Sequence, residues 1–240
     1  MRFIRQHLFF YVTVAAAFCV AAVFCANLYT AAVSLREAAD LPVTVVLDAG
    51  HGGEDGGAVS KDGVRESRLN LEITLRLNDL LHLIGRETRL IRSGDVSVYD
   101  SGAATVAEKK VSDLKNRVRM VNEVPGALLV SIHQNMFEQS KYHGTQIFYA
   151  PDAESRALAE ALQALTAETL DPSNHRAAKP ADTVYLMNNI HCPGILIECG
   201  FLSNPEECAR LCTEDYQKQL SLVIAGGLTD YLRKADTHEV

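Results

Sequence analysis

The sequence lacks several features that would assign it to a common class of protein. It has no tryptophan and no basic cluster, and its 23 Lys and Arg residues against 30 Asp and Glu residues give a net charge of −7. An acidic chain without a basic patch argues against a nucleic-acid partner. No Cys-X-X-Cys pair occurs, so a zinc site built from thiolates is disfavoured.

A long apolar segment lies near the start of the chain. Residues 8–26 are almost wholly apolar, and Arg2 and Arg5 precede them. A helix of this length extends about 28 Å, close to the roughly 30 Å of membrane hydrocarbon, and the basic flank places the N-terminus in the cytoplasm. A retained membrane anchor is favoured, and a cleaved signal peptide is the alternative. We expect three segments ahead of a folded domain at 43–235: a basic cytoplasmic N-terminus at 1–7, the anchor at 8–28 and a linker at 29–42.

The cysteines outside this apolar segment all lie late in the chain, at Cys192, Cys199, Cys208 and Cys212. An even number outside the membrane permits disulfides. Cys208 and Cys212 are one helical turn apart, which is typical of free thiols on one helix face.

The segment from 43 to 235 has the pattern of an α/β domain, because short apolar runs alternate with amphipathic ones. Strands are expected at 43–47, 88–92, 128–133, 145–149 and 195–199, and helices at 66–84, 106–123, 153–170 and 214–232. This order predicts a single mixed, mostly parallel sheet covered by helices on both faces and preceded by one N-terminal membrane helix. The connection from His133 to Thr145 shows no helical pattern, so the strand after it is expected to be antiparallel.

Polar residues stand where three predicted strands end. His51 follows the first strand, His133 lies at the end of the third, Glu198 lies near the end of the fifth, and Glu66 opens the first helix. Functional groups of an open α/β sheet collect at the carboxyl ends of its strands. Two imidazoles and one carboxylate form the ligand set of a catalytic zinc site, and a further carboxylate can act as general base. The pattern predicts Glu198 as that base.

Other interpretations of these residues are weaker. The glycine-rich loop at 50–57 lacks the Gly-Lys-Ser/Thr ending of a phosphate-binding loop, and its Glu54 and Asp55 would repel phosphate. Asn135 directly follows a candidate ligand and His191 lies just before the strand of Glu198. Both are candidates to orient a ligand or to contact substrate, and an ordinary structural role is the alternative for each.

Four blocks of sequence carry a resemblance to a known family: VVLDAGHGGEDGGAV, RESRLNLEI, LLVSIHQN and ILIECGFLSNPEE. They resemble the zinc-dependent N-acetylmuramoyl-L-alanine amidases of the Amidase_3 type over about 43–232. The resemblance implies Zn²⁺ bound by His51, Glu66 and His133, with Glu198 as the catalytic carboxylate. The stretches VSDLKNRVRMVNEVPGALLVSIHQN, GTQIFYA and VYLMNNIHCPGILIECGFLSNPEE are similar to the branch that acts in spore formation and germination.

The resemblance implies hydrolysis of the amide between the muramic acid lactyl group and L-alanine of peptidoglycan, on the outer side of the cytoplasmic membrane. The alternatives are a carboxypeptidase or endopeptidase that uses the same zinc site, and a catalytically inert wall-binding module. Whether an exported partner activates the enzyme stays open, as does the choice between vegetative wall and spore cortex. Some relatives are thought to carry a blocking helix after the second His ligand. The segment 134–144 is too short for one, so we expect an open site.

Overall fold

The structure is a computed structural model of the chain, and it describes residues 43–236. The segments predicted at 1–7, 8–28 and 29–42 lie outside the described residues. Within 43–236, no helix combines the length and the apolar character that crossing a bilayer would require.

Strands and helices alternate through the described residues, as expected for an α/β domain. The strands are β1 (Thr44–Ala49), β2 (Thr88–Leu90), β3 (Ala127–Asn135), β4 (Gln146–Tyr149), β5 (Lys179–Pro180) and β6 (Gly194–Phe201). The helices are α1 (Glu66–Leu83), α2 (Val106–Asn122), α3 (Ala153–Leu170), α4 (Tyr185–Asn189), α5 (Pro205–Leu211) and α6 (Glu214–Asp236). The sequence pattern predicts all of these except β5, α4 and α5, which are too short to show a periodicity.

The strands form one mixed sheet in the order β2-β1-β3-β6-β4-β5. Neighbours among β2, β1, β3 and β6 are parallel, β4 is antiparallel to β6, and β5 is parallel to β4. The mixed sheet and the antiparallel strand after the short connection are therefore confirmed. Because β1, β3 and β6 are parallel neighbours, their carboxyl ends meet at one edge, where His133 pairs in register with Glu198.

Successive residues of the central strands bury their side chains on opposite faces of the sheet. Val45 and Leu47 of β1 belong to a core cluster that includes residues of α1, α3 and α6. Val46 of β1 and Leu129 of β3 belong to a second cluster that includes residues of α2 and α4. Helices therefore cover both faces, as the pattern predicts.

The start of α2 is fixed by a capping box. The Thr105 side chain accepts a hydrogen bond from the Glu108 backbone N–H, and the Glu108 carboxylate accepts one from the Thr105 backbone N–H. This cap orients the helix that forms one wall of the site described below.

The cysteines within 43–236 are free thiols. Cys208 lies in α5 and Cys212 is its C-cap residue, so these two thiols lie one turn apart at one helix end.

Candidate active site

Three predicted ligands meet at the carboxyl edge of the sheet. His51 follows β1, Glu66 is the first residue of α1, and His133 lies near the end of β3. Their ligand atoms all lie within 4.8 Å of one another. His133 Nδ1 is 2.9 Å from Glu66 Oε1, and His51 Nε2 is 3.4 Å from Glu66 Oε2. Each carboxylate oxygen therefore faces one imidazole, which is a geometry that a cation between the three groups would satisfy.

The second ring nitrogen of His51 is held by a carboxylate. His51 Nδ1 lies 2.9 Å from Asp55 Oδ2, which leaves Nε2 on the side of Glu66. A carboxylate on the far nitrogen is the usual partner of a metal-ligating imidazole, because it fixes the tautomer and the ring orientation. Two imidazoles and one carboxylate are donors that suit Zn²⁺.

The pKa values in the cluster reflect these contacts. Burial alone would raise the pKa of Glu66, but the hydrogen bonds from His133 and His51 bring that pKa far below its usual range. Burial alone would lower the pKa of His51, but Glu66 and then Asp55 raise it to about 9. The Glu66 carboxylate thus favours positive charge between itself and the two imidazoles, which is where a metal ion would bind.

Two glycines allow the backbone to pack directly against the ligands. A Cβ at Gly50 would lie 2.2 Å from both Cε1 and Nε2 of His133. Gly57 has a φ of 64°, and a Cβ there would lie 2.6 Å from Glu66 Oε2 and 2.7 Å from His51 Cδ2. Any side chain at either position would displace a ligand.

The loop of His51 is held by a buried arginine on α2. Arg117 forms an ion pair with Asp48, and its Nε donates to Asp113 Oδ2 at 2.6 Å. It also donates to the backbone carbonyls of Ala49 at 3.0 Å and His51 at 2.7 Å. His51 has a φ of 61°, which is uncommon for a residue with a side chain. Arg117 therefore helps to hold a strained backbone at a ligand.

A second buried arginine holds the same loop from the side of β2. Arg92 donates to the carbonyls of Ala49 at 2.8 Å, Gly50 at 3.1 Å and Ser67 at 2.8 Å. Nothing in the sequence pattern singles out Arg92 or Arg117, because an arginine in a loop or on an amphipathic helix is ordinarily solvated.

Glu198 lies in β6 directly opposite His133. The residue is half-buried, yet its Oε2 atom is buried and has no hydrogen-bond partner among the described residues. Burial raises the pKa of Glu198 to about 7, although His133 acts to lower that pKa. A carboxylate with raised pKa beside a metal-ligand cluster has the properties of a general base.

The two further candidates from the sequence lie outside the cluster. Asn135 is half-buried beyond a register shift in the β3–β6 pairing, and its carbonyl accepts from Leu202 N. His191 is exposed and precedes β6, so it lies at the opposite edge of the sheet, beside a separate cavity. The contact that orients a ligand comes instead from the buried Asn70, which donates to Glu66 Oε1 at 3.3 Å and to the Gly50 carbonyl at 3.1 Å.

A cavity of about 470 Å³ opens beside the cluster, and His51, His133 and Glu198 line it. Residues 136–145, between β3 and β4, contain no helix. The segment after the second His ligand therefore places no helix over the cavity, as expected from its length.

The comparisons with known proteins identify the family of the chain. The model of the Amidase_3 family, described as N-acetylmuramoyl-L-alanine amidase, matches residues 45–230. The chain is 36% identical over 197 residues to the germination-specific N-acetylmuramoyl-L-alanine amidase of Bacillus subtilis, which covers 81% of this chain and 82% of that protein. It is similar to the CwlD amidase from Clostridioides difficile, solved in complex with the GerS lipoprotein, with a TM-score of 0.77, 41% identity and coverage of 80% of this chain and 98% of that one. It is also similar to the amidase AmiC2 of Nostoc punctiforme, with a TM-score of 0.69 and 28% identity. That match covers 80% of this chain and 97% of the AmiC2 chain.

Proposed function

Since the chain belongs to the Amidase_3 family and is an N-acetylmuramoyl-L-alanine amidase, we propose that it cleaves its amide with a zinc ion held by His51, Glu66 and His133. One observation carries this proposal: the donor atoms of these three residues lie within 4.8 Å of one another. The substrate bond is the amide between the lactyl group of muramic acid and the L-alanine of the stem peptide. A bound zinc ion supplies Lewis acidity to the amide carbonyl and to the attacking water.

Glu198 moves the proton in this mechanism. Its raised pKa, about 7, means that the ionised form can accept the proton of the attacking water and that the protonated form can return it. The acceptor is the amine nitrogen of the departing L-alanine, which needs that proton to leave. The unpartnered Oε2 of Glu198 supports this role, because no protein donor competes for it among the described residues.

The neighbours of the ligands hold the site in one geometry. Asp55 contacts His51 Nδ1, and Asn70 donates to Glu66. These two contacts leave the ligand atoms fewer orientations, which lowers the entropic cost of binding the ion. For Asn135 a contact with substrate stays a prediction.

The cellular role that we propose is the maturation or germination of spore cortex. The similarity to the germination-specific amidase of Bacillus subtilis and to CwlD supports it. The catalytic domain at 43–235 would then act on peptidoglycan outside the cytoplasm, anchored by the apolar segment at 8–28, or secreted if that segment is cleaved. CwlD is solved in complex with the GerS lipoprotein, and this supports an exported partner for the present chain as well.

The test is digestion of purified peptidoglycan by the full-length chain with zinc, followed by mass spectrometry of the products. An amidase releases intact stem peptides that begin with L-alanine. Stems shortened at their C-terminal end would indicate a carboxypeptidase, and stems cut at an internal bond would indicate an endopeptidase. The absence of any product would indicate an inert wall-binding module. Cortex and vegetative wall, each digested with and without a candidate exported partner, separate the remaining alternatives.

Glu198→Gln tests the assignment of the base. The amide keeps the shape of the side chain but accepts no proton, so turnover should fall by ~10²–10⁴-fold while zinc stays bound. Glu206→Gln is the matched control, because Glu206 is exposed in the first turn of the helix after β6. Loss of zinc in Glu198→Gln would instead make Glu198 a ligand and contradict the assignment.

A further inference from the structure

One face of α2 forms a wall of the cavity beside the catalytic cluster. The residues of this face recur at three- and four-residue steps and are Val106, Lys109, Lys110, Asp113, Leu114 and Arg117. At 1.5 Å per residue the wall is about 16 Å long. It begins at Arg117, which contacts the His51 backbone, and leads away from the cluster toward Val106.

Two of the three cations on this wall are already paired within the protein. Arg117 is bound by Asp48 and Asp113. Lys109 Nζ lies 2.8 Å from Glu54 Oε2 and 5.1 Å from the centre of the Tyr99 ring. Neither cation is therefore available to a ligand without losing a contact.

Lys110 differs from these two cations. It is exposed, it lines the cavity, and none of the carboxylates in residues 43–236 lies within ion-pair distance of its ammonium group. Asp55 acts on it only through longer-range electrostatics. Lys110 stands seven residues before Arg117, which places its Cα about 10 Å farther along the helix axis from the cluster.

The rest of the cavity restricts where an anion can bind. The lining also includes the apolar side chains of Val184, Leu186 and Leu196, which offer an anion no partner. Glu54 and Asp55 also line the cavity and would repel a carboxylate. The position beside Lys110 is therefore the place in this cavity, away from the metal ligands, where a negative group of a substrate is favoured.

We propose that Lys110 binds a carboxylate of the stem peptide and makes the enzyme prefer stems in which that carboxylate is free. The inference rests on the proposed function, in which the stem peptide is the leaving group. The sugar side of the substrate carries no carboxylate of its own once the lactyl group is in the amide, so the peptide is the anionic part. Its second residue is a glutamate joined through the side chain, which leaves the α-carboxyl group either free or amidated. Two extended residues span roughly 7 Å, and the flexible lysine side chain covers the remaining distance.

The test compares two synthetic glycan oligomers as substrates of the full-length chain with zinc. Both carry stems of L-alanine and a D-glutamate whose γ-carboxyl group is capped as a neutral methylamide, in place of the third residue. In one substrate the α-carboxyl group of that D-glutamate is free, and in the other it is a neutral amide. An exposed charge pair is weak, so we expect wild type to favour the free carboxylate by about fivefold in kcat/KM. Lys110→Gln should abolish this preference through a higher KM for the anionic substrate, with kcat unchanged. Lys110→Glu should reverse it.

Lys115→Gln is the matched control, because Lys115 is exposed on the same helix and does not line the cavity. It should keep the wild-type preference. The preference is the ratio of the kcat/KM values for the two substrates, both measured on one enzyme preparation. A smaller folded fraction in a variant therefore does not change it. The role of Lys110 would be overturned if wild type and Lys110→Gln showed the same substrate preference, or if Lys115→Gln lost the preference as Lys110→Gln does. Either result would leave the proposed amidase function standing. If wild type cleaves neither substrate, alone or with a candidate exported partner, the proposed function fails, and this inference fails with it.

Discussion

Replacing Arg117 by Met removes the cation that neutralises Asp48. Asp48 is 1% exposed, so its carboxylate would stay buried without a partner other than the Ser131 hydroxyl. Breaking a buried ion pair in this way costs about 3–5 kcal/mol. Since a domain of this size has roughly 5–15 kcal/mol of stability, the variant should still fold at 25 °C but unfold at a clearly lower urea concentration.

The same substitution should weaken metal binding. The Arg117 guanidinium donates to the His51 carbonyl at 2.7 Å, and this bond helps to hold the left-handed backbone at φ 61°. A non-glycine residue in that conformation carries on the order of 1–3 kcal/mol of strain, so the loop should relax once the contact is lost. We expect zinc affinity to fall by about 10–100-fold, as for other groups that orient metal ligands. Competition for zinc with a chromophoric chelator, measured without urea so that the variant is folded, reports this affinity directly.

Two further variants separate the charge of Arg117 from its hold on the loop. Adding Asp48→Asn to Arg117→Met removes the orphaned charge, so stability should recover in part while zinc affinity stays low. Arg119→Met is the control, because Arg119 lies on the same helix and its side chain is 57% exposed in a surface pair with Glu123. It should change stability by less than about 1 kcal/mol. The reasoning would be refuted by Arg117→Met binding zinc as tightly as wild type, or by a stability loss no larger than that of Arg119→Met.

Three more outcomes follow from the same contacts. His51→Ala and His133→Ala each remove a ligand, so metal analysis should find zinc lost and activity absent; stoichiometric zinc in both variants would remove them from the site. Gly50→Ala places a Cβ 2.2 Å from the His133 ring and should reduce zinc occupancy with little change in circular dichroism, whereas full occupancy would show that the ring can move away. Burial alone would raise the pKa of Asp48, but Arg117, His133 and Ser131 bring that pKa below its usual range. That group therefore contributes stability above about pH 4 that is lost as the pH falls through the folded pKa, and acid titration of wild type should show this extra loss where Arg117→Met does not.

The residues of the candidate site can be brought together from the sequence because their positions depend on strand ends. His133 and Glu198 each follow a short apolar run, and β3 and β6 prove to be parallel neighbours with these two residues in register. The carboxyl ends of parallel strands meet at one edge whatever the details of packing. Only the position and the direction of each strand are needed for this. Apolar runs in the sequence indicate the positions, and the lengths of the connections indicate the directions.

The residues that position the ligands do not follow from the same argument. Arg117 and Arg119 are two residues apart on one helix, yet their side chains are 3% and 57% exposed. The periodicity of α2 indicates which side faces the sheet, but a buried arginine there depends on an acid, Asp48, that β1 supplies from 69 residues away. Asn70 is a similar case, since its partners Glu66 and the Gly50 carbonyl are set by how α1 packs against the end of β1. Pairings of this kind belong to tertiary structure, and local patterns do not contain them.

The geometry of α2 then joins the two roles that the site requires. Its Arg117 end holds the backbone of His51, while its Lys110 end lines the cavity about 10 Å farther along the axis. Because Arg117 and Lys110 lie on one continuous helix, their spacing along its axis is set by the helix rise. Substitutions should therefore sort by position along the cavity-facing side of this helix. Those at Arg117 lower the affinity for zinc, and those near Lys110 change the discrimination between stems while zinc stays bound. A variant at Lys110 that lost zinc, or one at Arg117 that altered stem preference alone, would contradict this division.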